Sequence, residues 1–138
     1  EELFNNTKKA FVSRSFEQIG SLLNNKKVVY DLVKEKIQKQ VDSSPIVIYM
    51  KGTPQFPQCG FSARASQTLA ETEVEFAFVN IFEDQEVFQH LPEFADWPTF
   101  PQIYFNSELV GGGDIIIEMA EMGTLKVAME EAVEKFNE

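Results

Sequence analysis

The sequence contains one cysteine, Cys59, and one histidine among its 138 residues. A single cysteine excludes an intrachain disulfide, and with a single histidine it excludes an ordinary Cys/His zinc site within one chain. A secreted, disulfide-stabilised scaffold is therefore ruled out, and a reducing compartment is expected. The sequence also lacks any apolar run near the roughly 18 residues that a membrane span requires. We therefore expect a protein that has no membrane partner.

Positive charge is scarce outside the N-terminal third of the chain. The formal net charge is −10. Residues 1–44 carry eight Lys/Arg and six Asp/Glu, whereas residues 45–138 carry four Lys/Arg and sixteen Asp/Glu, a balance of −12. Because binding to phosphates requires a basic footprint, this acidic body excludes nucleic acid as a partner.

Hydrophobic residues, by contrast, are plentiful. They make up 43% of the chain and include 13 Phe, which is enough for the core of one domain. Apolar residues that recur every fourth position predict an amphipathic helix, which Pro45 ends: Val29, Val33, Ile37 and Val41. The β-branched run that follows, Ile46–Met50, predicts a buried strand.

The rest of the chain alternates in the same way. The spacing of Phe61, Ala65 and Leu69 predicts a second helix, and residues 75–81 predict a second strand. We then predict an acidic helix made irregular by Pro92, a hairpin and two final helices, over residues 84–96, 101–110, 114–122 and 124–136. This order predicts an α/β fold with a four-stranded mixed sheet flanked by helices on both faces.

The first 27 residues differ from this pattern. Residues 1–27 lack sustained periodicity and predict a flexible extension before a domain over residues 28–138. Its lysines and arginine suit the remnant of a targeting presequence, but the glutamates at positions 1 and 2 do not. An artificial extension explains the composition equally well.

The loop from Lys51 to Ser62 carries the strongest chemical signal. It follows a predicted strand and opens a helix, so Cys59 lies at a helix N-terminus, where free backbone N–H groups and the helix dipole favour a thiolate. Lys51 adds a positive charge at the other end of the loop. Such a thiolate is a nucleophile or a soft-metal ligand. The alternative is an inert, buried cysteine that packs as a small apolar residue.

Ser62 limits the redox chemistry of this loop. A redox pair requires a second cysteine three residues after Cys59, and Ser62 occupies that position. Because serine cannot resolve a mixed disulfide, unaided reduction of protein disulfides is excluded. Any redox cycle needs an external thiol.

Two further segments suit a ligand. Trp97-Pro-Thr-Phe-Pro101-Gln enters the third strand, and Gly111-Gly112-Gly113-Asp114 precedes an apolar helix. The glycines allow a ligand to approach the backbone, the helix N-terminus binds carboxylates, and Asp114 offers a partner for an ammonium group. Together these features suit an amino-acid zwitterion. On these residues alone, an ordinary turn with Asp114 as the N-cap is the simpler interpretation.

In this order and spacing, the three segments resemble the monothiol glutaredoxins. The shared motifs are Lys-Gly-Thr-Pro from Lys51, Cys59-Gly-Phe-Ser62, Trp97-Pro-Thr99 and the Gly-Gly-x-Asp turn that ends at Asp114. The resemblance covers about residues 28–138. It implies a thioredoxin-like fold, a glutathione site and a cis peptide bond at Pro101.

The resemblance also implies a role for each site residue. Cys59 is the redox thiol and the iron–sulfur ligand, and Lys51 holds the glycine carboxylate of glutathione. The remaining glutathione contacts are Phe61 beside the thiol, the backbone of Thr99, Phe100 and Pro101 at the cysteinyl part, and Gly113 and Asp114 at the γ-glutamyl end. The sequence departs from the family at two positions. Gly113 stands where many relatives have a second cysteine, and Phe88 where relatives often have an arginine that contacts the glycine carboxylate.

The family's signature function is to bind and pass on a [2Fe–2S] cluster. Such a cluster needs four thiolates, and this chain supplies one. Two chains and two glutathiones supply four, so the resemblance implies a homodimer bridged by the cluster, with iron–sulfur assembly and recipient proteins as partners in the mitochondrial matrix. Two alternatives stay open: a glutathione-dependent oxidoreductase that deglutathionylates protein thiols by a monothiol route, and a redox-regulated adaptor.

Overall fold

A computed structural model describes residues 26–138 of the chain. Within these residues, Val33–Glu138 form one compact unit. The predicted flexible extension lies outside the described residues, apart from Lys26 and Lys27, which are helical.

The first described helix, α1, covers residues 26–42 and ends before Pro45, as predicted. Its apolar stripe is buried at Val33, Ile37 and Val41, whereas Val29 is exposed. The predicted spacing is therefore correct over the last three of its four positions.

Four strands form one mixed sheet, which confirms the predicted fold class. They are β1 (Ile46–Met50), β2 (Ala77–Asn80), β3 (Gln102–Phe105) and β4 (Glu108–Gly111), in the order β2-β1-β3-β4. The central strand β1 pairs parallel to β2 and antiparallel to β3, and β3 pairs antiparallel to β4. The hairpin turn between β3 and β4 has two residues with positive φ, Asn106 at 48° and Ser107 at 70°. This is the turn geometry that suits the twist of a hairpin.

Helices cover both faces of this sheet. They are α2 (Gly60–Glu71), α3 (Gln85–Ala95), α4 (Gly113–Glu121) and α5 (Leu125–Phe136), with a 3₁₀ turn over Ile81–Glu83. Alternate residues of β1 point to opposite faces. Ile46, Ile48 and Met50 pack with residues of α2, α4 and α5. Val47 and Tyr49 pack with residues of α1 and α3.

Helix α3 forms where it was predicted, but it continues without the irregularity expected at Pro92. Proline lacks the N–H that would bond to the carbonyl of Phe88. Val87 and Leu91 nevertheless anchor the helix, since both side chains are fully buried against the sheet. Asp84 caps its N-terminus by accepting a hydrogen bond from the Val87 N–H at 3.1 Å, and it also pairs with Lys36 of α1. Within the described part of the chain, no helix has the length and apolarity to cross a membrane.

Candidate functional site

One cavity of about 680 Å³ brings together every residue that the sequence predicted for the site. Its lining includes Lys51, Cys59, Phe61, Thr99, Phe100, Pro101, Gly113 and Asp114. The volume lies within the range of about 300–1,000 Å³ typical of small-molecule sites. The carboxyl end of β1, the start of α2, the loop before β3 and the start of α4 meet at this cavity.

The loop after β1 folds back on itself and thereby places Cys59 beside Lys51. The Gln58 N–H donates to the Lys51 carbonyl at 2.8 Å, and Thr53 and Phe56 exchange two backbone hydrogen bonds. Gly52 makes the first bend with φ of +95°, a conformation that other residues rarely adopt. A tight, self-bonded loop therefore presents the thiol.

Cys59 is the N-cap of α2, as the sequence predicted, and its backbone is extended with φ −153° and ψ 136°. The N–H of Ser62 contributes most to lowering the pKa of the Cys59 thiol below its usual value. Burial opposes this shift, whereas the N–H of Phe61 and the charge of Lys51 support it. The cysteine is also partly exposed. The cysteine is therefore not buried, and its lowered pKa favours the thiolate over the thiol.

Ser62 has a structural part that sequence reasoning did not assign. Its side chain is fully buried, and its hydroxyl accepts a hydrogen bond from the Lys51 N–H at 3.1 Å. Ser62, which stands where a resolving cysteine would be, thus also ties the first turn of α2 to the end of β1.

Asn80 is a second residue that sequence reasoning missed. Its side-chain oxygen accepts hydrogen bonds from the N–H of Gly52 and of Phe82, both at 3.0 Å. The available signal was its place at the end of a predicted parallel strand, because the carboxyl ends of such strands meet at ligand sites. Asn80 fixes the loop that carries Lys51 to the segment after β2.

The second wall of the cavity is the loop that enters β3. The Phe100–Pro101 peptide bond is cis, as the family resemblance implied. Gln102 is fully buried and donates to the carbonyls of Trp97 at 3.0 Å and Thr99 at 3.3 Å. Its own oxygen accepts from the Tyr104 hydroxyl at 2.9 Å. A buried amide therefore holds the shape of this wall.

The third wall is the N-terminus of α4. Gly112 is the N-cap, and Gly113 and Asp114 form the first turn. The simpler interpretation from sequence, in which Asp114 caps the helix, is therefore wrong, and this carboxylate lines the cavity instead. A Cβ atom at Gly113 would lie 3.5 Å from the Ala65 Cβ, 3.6 Å from the Phe61 carbonyl oxygen and 3.7 Å from Pro101 Cγ, which are ordinary contacts. The position therefore has room for a Cβ atom.

Positive charge is concentrated at the cavity, although residues 45–138 are strongly acidic overall. Residues 45–138 contain four Lys/Arg, and two of them, Lys51 and Arg64, line the cavity. Sequence reasoning missed Arg64, although it lies one helical turn after Phe61, so the two share a helix face. Two cations beside the carboxylate of Asp114 can hold a ligand that carries both signs of charge.

Phe88 gives the cavity an aromatic wall where relatives often have arginine. Its ring contacts the ring of Phe100 edge-on, with centroids 5.5 Å apart, and the ring of Phe82 at 5.9 Å. Phe88 therefore puts an aromatic ring, packed against two other phenylalanines, where relatives often have a positive charge.

The described residues offer no group of three or more Cys, His, Asp or Glu side chains that could hold a metal ion. Within residues 26–138 the cysteine is alone, so this chain can contribute one thiolate to a metal centre.

Comparisons with known proteins agree with this geometry. Residues 46–110 match the glutaredoxin family. The chain is 47% identical over 102 residues to Glutaredoxin 4 of Pasteurella multocida, covering 74% of this chain and 94% of that protein. It is 48% identical over 102 residues to Glutaredoxin 4 of Escherichia coli K12, covering 74% of this chain and 89% of that protein. Among solved structures it is similar to the reduced apo form of poplar GrxS14, with 43% identity, 72% and 91% of the two chains covered and a TM-score of 0.62. The sequence motifs, the cavity and these similarities together show that the chain belongs to the glutaredoxin family.

Proposed function

We propose that this protein binds a [2Fe–2S] cluster with the help of glutathione and passes it on during iron–sulfur cluster assembly. The observation that carries the proposal is the solitary, partly exposed Cys59, whose lowered pKa favours the thiolate, at a cavity with charges of both signs. A thiolate with no partner cysteine in its chain can form one bond to a metal, and the other ligands must come from outside.

The charges of the cavity match those of glutathione, which has two carboxylates and one ammonium group. Lys51 is assigned to the glycine carboxylate, the first N–H groups of α4 to the γ-glutamyl carboxylate, and Asp114 to the ammonium. The backbone of Thr99 and Phe100, which lines the cavity just before the cis proline, is assigned to the cysteinyl part. Glutathione bound in this way places its own sulfur beside Cys59.

The cargo then determines the stoichiometry. A [2Fe–2S] cluster takes four thiolates. One chain with one glutathione provides two, so a complete ligand set needs two chains and two glutathiones. The cluster itself supplies the bridge between the two protomers, while each chain provides the thiolate and holds one glutathione in place. The proposed partners are cluster donors and recipients in the mitochondrial matrix.

Anaerobic purification in the presence of glutathione tests this proposal. We expect a coloured dimer with two iron atoms, two chains and two glutathiones, detected by absorption, iron analysis and size-exclusion chromatography. Cys59→Ser should abolish the colour and the dimer together. A matched control is Met122→Ser, an exposed residue outside the cavity lining, which should keep both. A cluster that persists in Cys59→Ser would show that the ligand assignment is wrong.

A second candidate function is the removal of glutathione from protein thiols, which the lowered pKa of Cys59 favours. In this reaction the Cys59 thiolate attacks the glutathione sulfur of a mixed disulfide and releases the protein thiol. A second glutathione then attacks the Cys59–glutathione disulfide, and oxidised glutathione leaves. Turnover of a glutathionylated peptide by the apo protein, measured beside the cluster content of the same preparation, separates the two functions.

A further inference from the structure

Three phenylalanines form a continuous row from the cavity to the outer surface. Phe100 and Phe88 line the cavity, and Phe82 lies beyond its lining and contacts the ring of Phe88. Phe88 is 37% exposed and Phe82 is 48% exposed. We call Phe82, Phe88 and Phe100 the aromatic row.

The backbone beneath this row is held in place on both sides. The Phe82 N–H donates to the Asn80 side chain, and Phe88 follows the N-cap that Asp84 provides for α3. Exposed aromatic rings on an ordered backbone lose little conformational freedom when a partner covers them, which is why such residues often anchor protein interfaces. The row therefore has the properties of a preformed docking surface.

The surroundings of the row are strongly acidic. Residues 81–96 include five carboxylates and no lysine or arginine: Glu83, Asp84, Glu86, Glu93 and Asp96. Asp84 is paired with Lys36, and the side chains of Glu83 and Glu86 are exposed close to Phe82 and Phe88 in sequence. An acidic rim attracts a basic partner and repels anionic lipid headgroups and nucleic acids. It also disfavours a second copy of this chain, which would bring the same carboxylates toward the row.

We propose that the aromatic row is a docking surface for a different protein, one that presents an apolar side chain flanked by lysine or arginine beside the cysteine that meets the Cys59 site. The inference rests on the proposed function in one respect, because that function requires such a cysteine to reach the cavity. The row ends in the same cavity as Cys59, so a partner anchored on Phe82 has its neighbouring residues directed toward the thiolate. Phe88 lacks the positive charge of the arginine that relatives often have, but its ring gives the partner protein an additional apolar contact.

Peptide binding to the apo protein tests the docking surface. The probe is a short peptide with one phenylalanine between lysines and an S-methylated cysteine that cannot react. We expect this peptide to shift the amide signals of residues 81–89, more strongly at low salt because surface charges are then less screened. Phe82→Ser should weaken its binding about fivefold, which corresponds to an interface side chain that contributes about 1 kcal/mol. Glutathione affinity should stay unchanged in this variant, because Phe82 lies outside the cavity lining.

Two comparisons keep the proposal open to refutation. Phe136→Ser, which alters a similarly exposed phenylalanine at 42% on α5, should bind the peptide as the unaltered protein does. Replacing the peptide's lysines by glutamates should abolish binding, and the double variant Glu83→Lys, Glu86→Lys should restore it. Equal losses in Phe82→Ser and Phe136→Ser, tight binding of the glutamate peptide to the unaltered protein, or binding to anionic lipid vesicles instead would overturn the assignment. No cluster and no glutathione is present in this assay, so its outcome is separate from that of the proposed function.

Discussion

Gly52→Ala is the substitution whose effect on the site can be worked out most directly from the structure. Gly52 has φ of +95°, and a Cβ atom there would lie 2.5 Å from the carbonyl oxygen of Phe56 and 2.7 Å from the amide nitrogen of Gln58. Both atoms belong to the backbone, so neither can rotate away. The loop would have to open, and with it the hydrogen bond from the Gln58 N–H to the Lys51 carbonyl.

The expected magnitude has two parts. A residue other than glycine in this backbone region costs about 1–3 kcal/mol, and forcing an extra carbon into packed atoms typically costs about 1–3 kcal/mol more. We therefore expect Gly52→Ala to lower the free energy of unfolding by about 2–6 kcal/mol, against a total of roughly 5–15 kcal/mol for an ordinary domain. Because Gln58 directly precedes Cys59, the displaced loop should also raise the pKa of the thiol toward its usual value.

Two other glycines separate these contributions. Gly123 has φ of +75° with nothing within 4 Å of its Cβ position, so Gly123→Ala should incur the conformational cost alone, about 1–2 kcal/mol. Gly60, which opens α2, also has open space and no positive φ, so Gly60→Ala should be neutral or stabilising by up to about 1 kcal/mol. Urea unfolding followed by circular dichroism measures all three. If Gly52→Ala costs no more than Gly123→Ala, the steric argument is wrong.

Three further predictions concern the same cavity. Lys51→Ala should weaken glutathione binding about tenfold or more, because a hydrogen bond to a charged group contributes about 1.5–3 kcal/mol; an unchanged dissociation constant in an NMR titration would assign that carboxylate to Arg64. Alkylation of Cys59 should rise with pH through a midpoint below about 8.5, the usual thiol value, and a midpoint at or above it would contradict activation by the helix terminus. The lowered pKa stabilises the folded thiolate form, so its contribution to stability should be complete above the usual thiol pKa and lost as the pH falls through the folded value. Gly113→Cys should change the free energy of unfolding by no more than about 0.5 kcal/mol, since its Cβ meets only ordinary contacts, and a larger loss in urea unfolding would show that the position is closed to a side chain.

The order of helices and strands could be predicted from sequence because each element carries its own periodic signal. The central strand β1 is an example: its β-branched run is buried at every position, as a strand covered on both faces requires. The uninterrupted α3 could not be predicted, because proline has a strong local preference against helix interiors and only the buried contacts of Val87 and Leu91 outweigh it. The predicted limits of the second strand are also wider than the observed ones. Residues 75–81 were predicted, but pairing with β1 covers only Ala77–Asn80.

For the site, the charged or reactive residues that line the cavity could be predicted except for Arg64, whereas the residues that hold them in place could not. Cys59, Lys51 and Asp114 carry charge or a reactive atom, and their place at loop and helix boundaries is visible in the sequence. Asn80 and Gln102 act through hydrogen bonds to backbone atoms of distant or neighbouring segments, and these bonds exist only once the sheet has formed. A polar residue at a strand end gives no sign of which N–H or carbonyl it will meet.

Ser62, which belongs to the motif shared with the family, and Gly113, which departs from the pattern of many relatives, have a common chemical consequence. Ser62 stands where a resolving cysteine would be, and Gly113 stands where many relatives have a second cysteine, although a Cβ atom there would meet only ordinary contacts. The thiolate at Cys59 is nevertheless kept accessible and stabilised by the same turn in which Ser62 lies. The chain has no second cysteine with which Cys59 could form a disulfide. The sulfur of Cys59 can therefore form a bond only to an atom from outside the chain. In the two functions proposed above that atom is iron or the sulfur of glutathione, and the proposed docking surface would help to decide which molecule reaches Cys59.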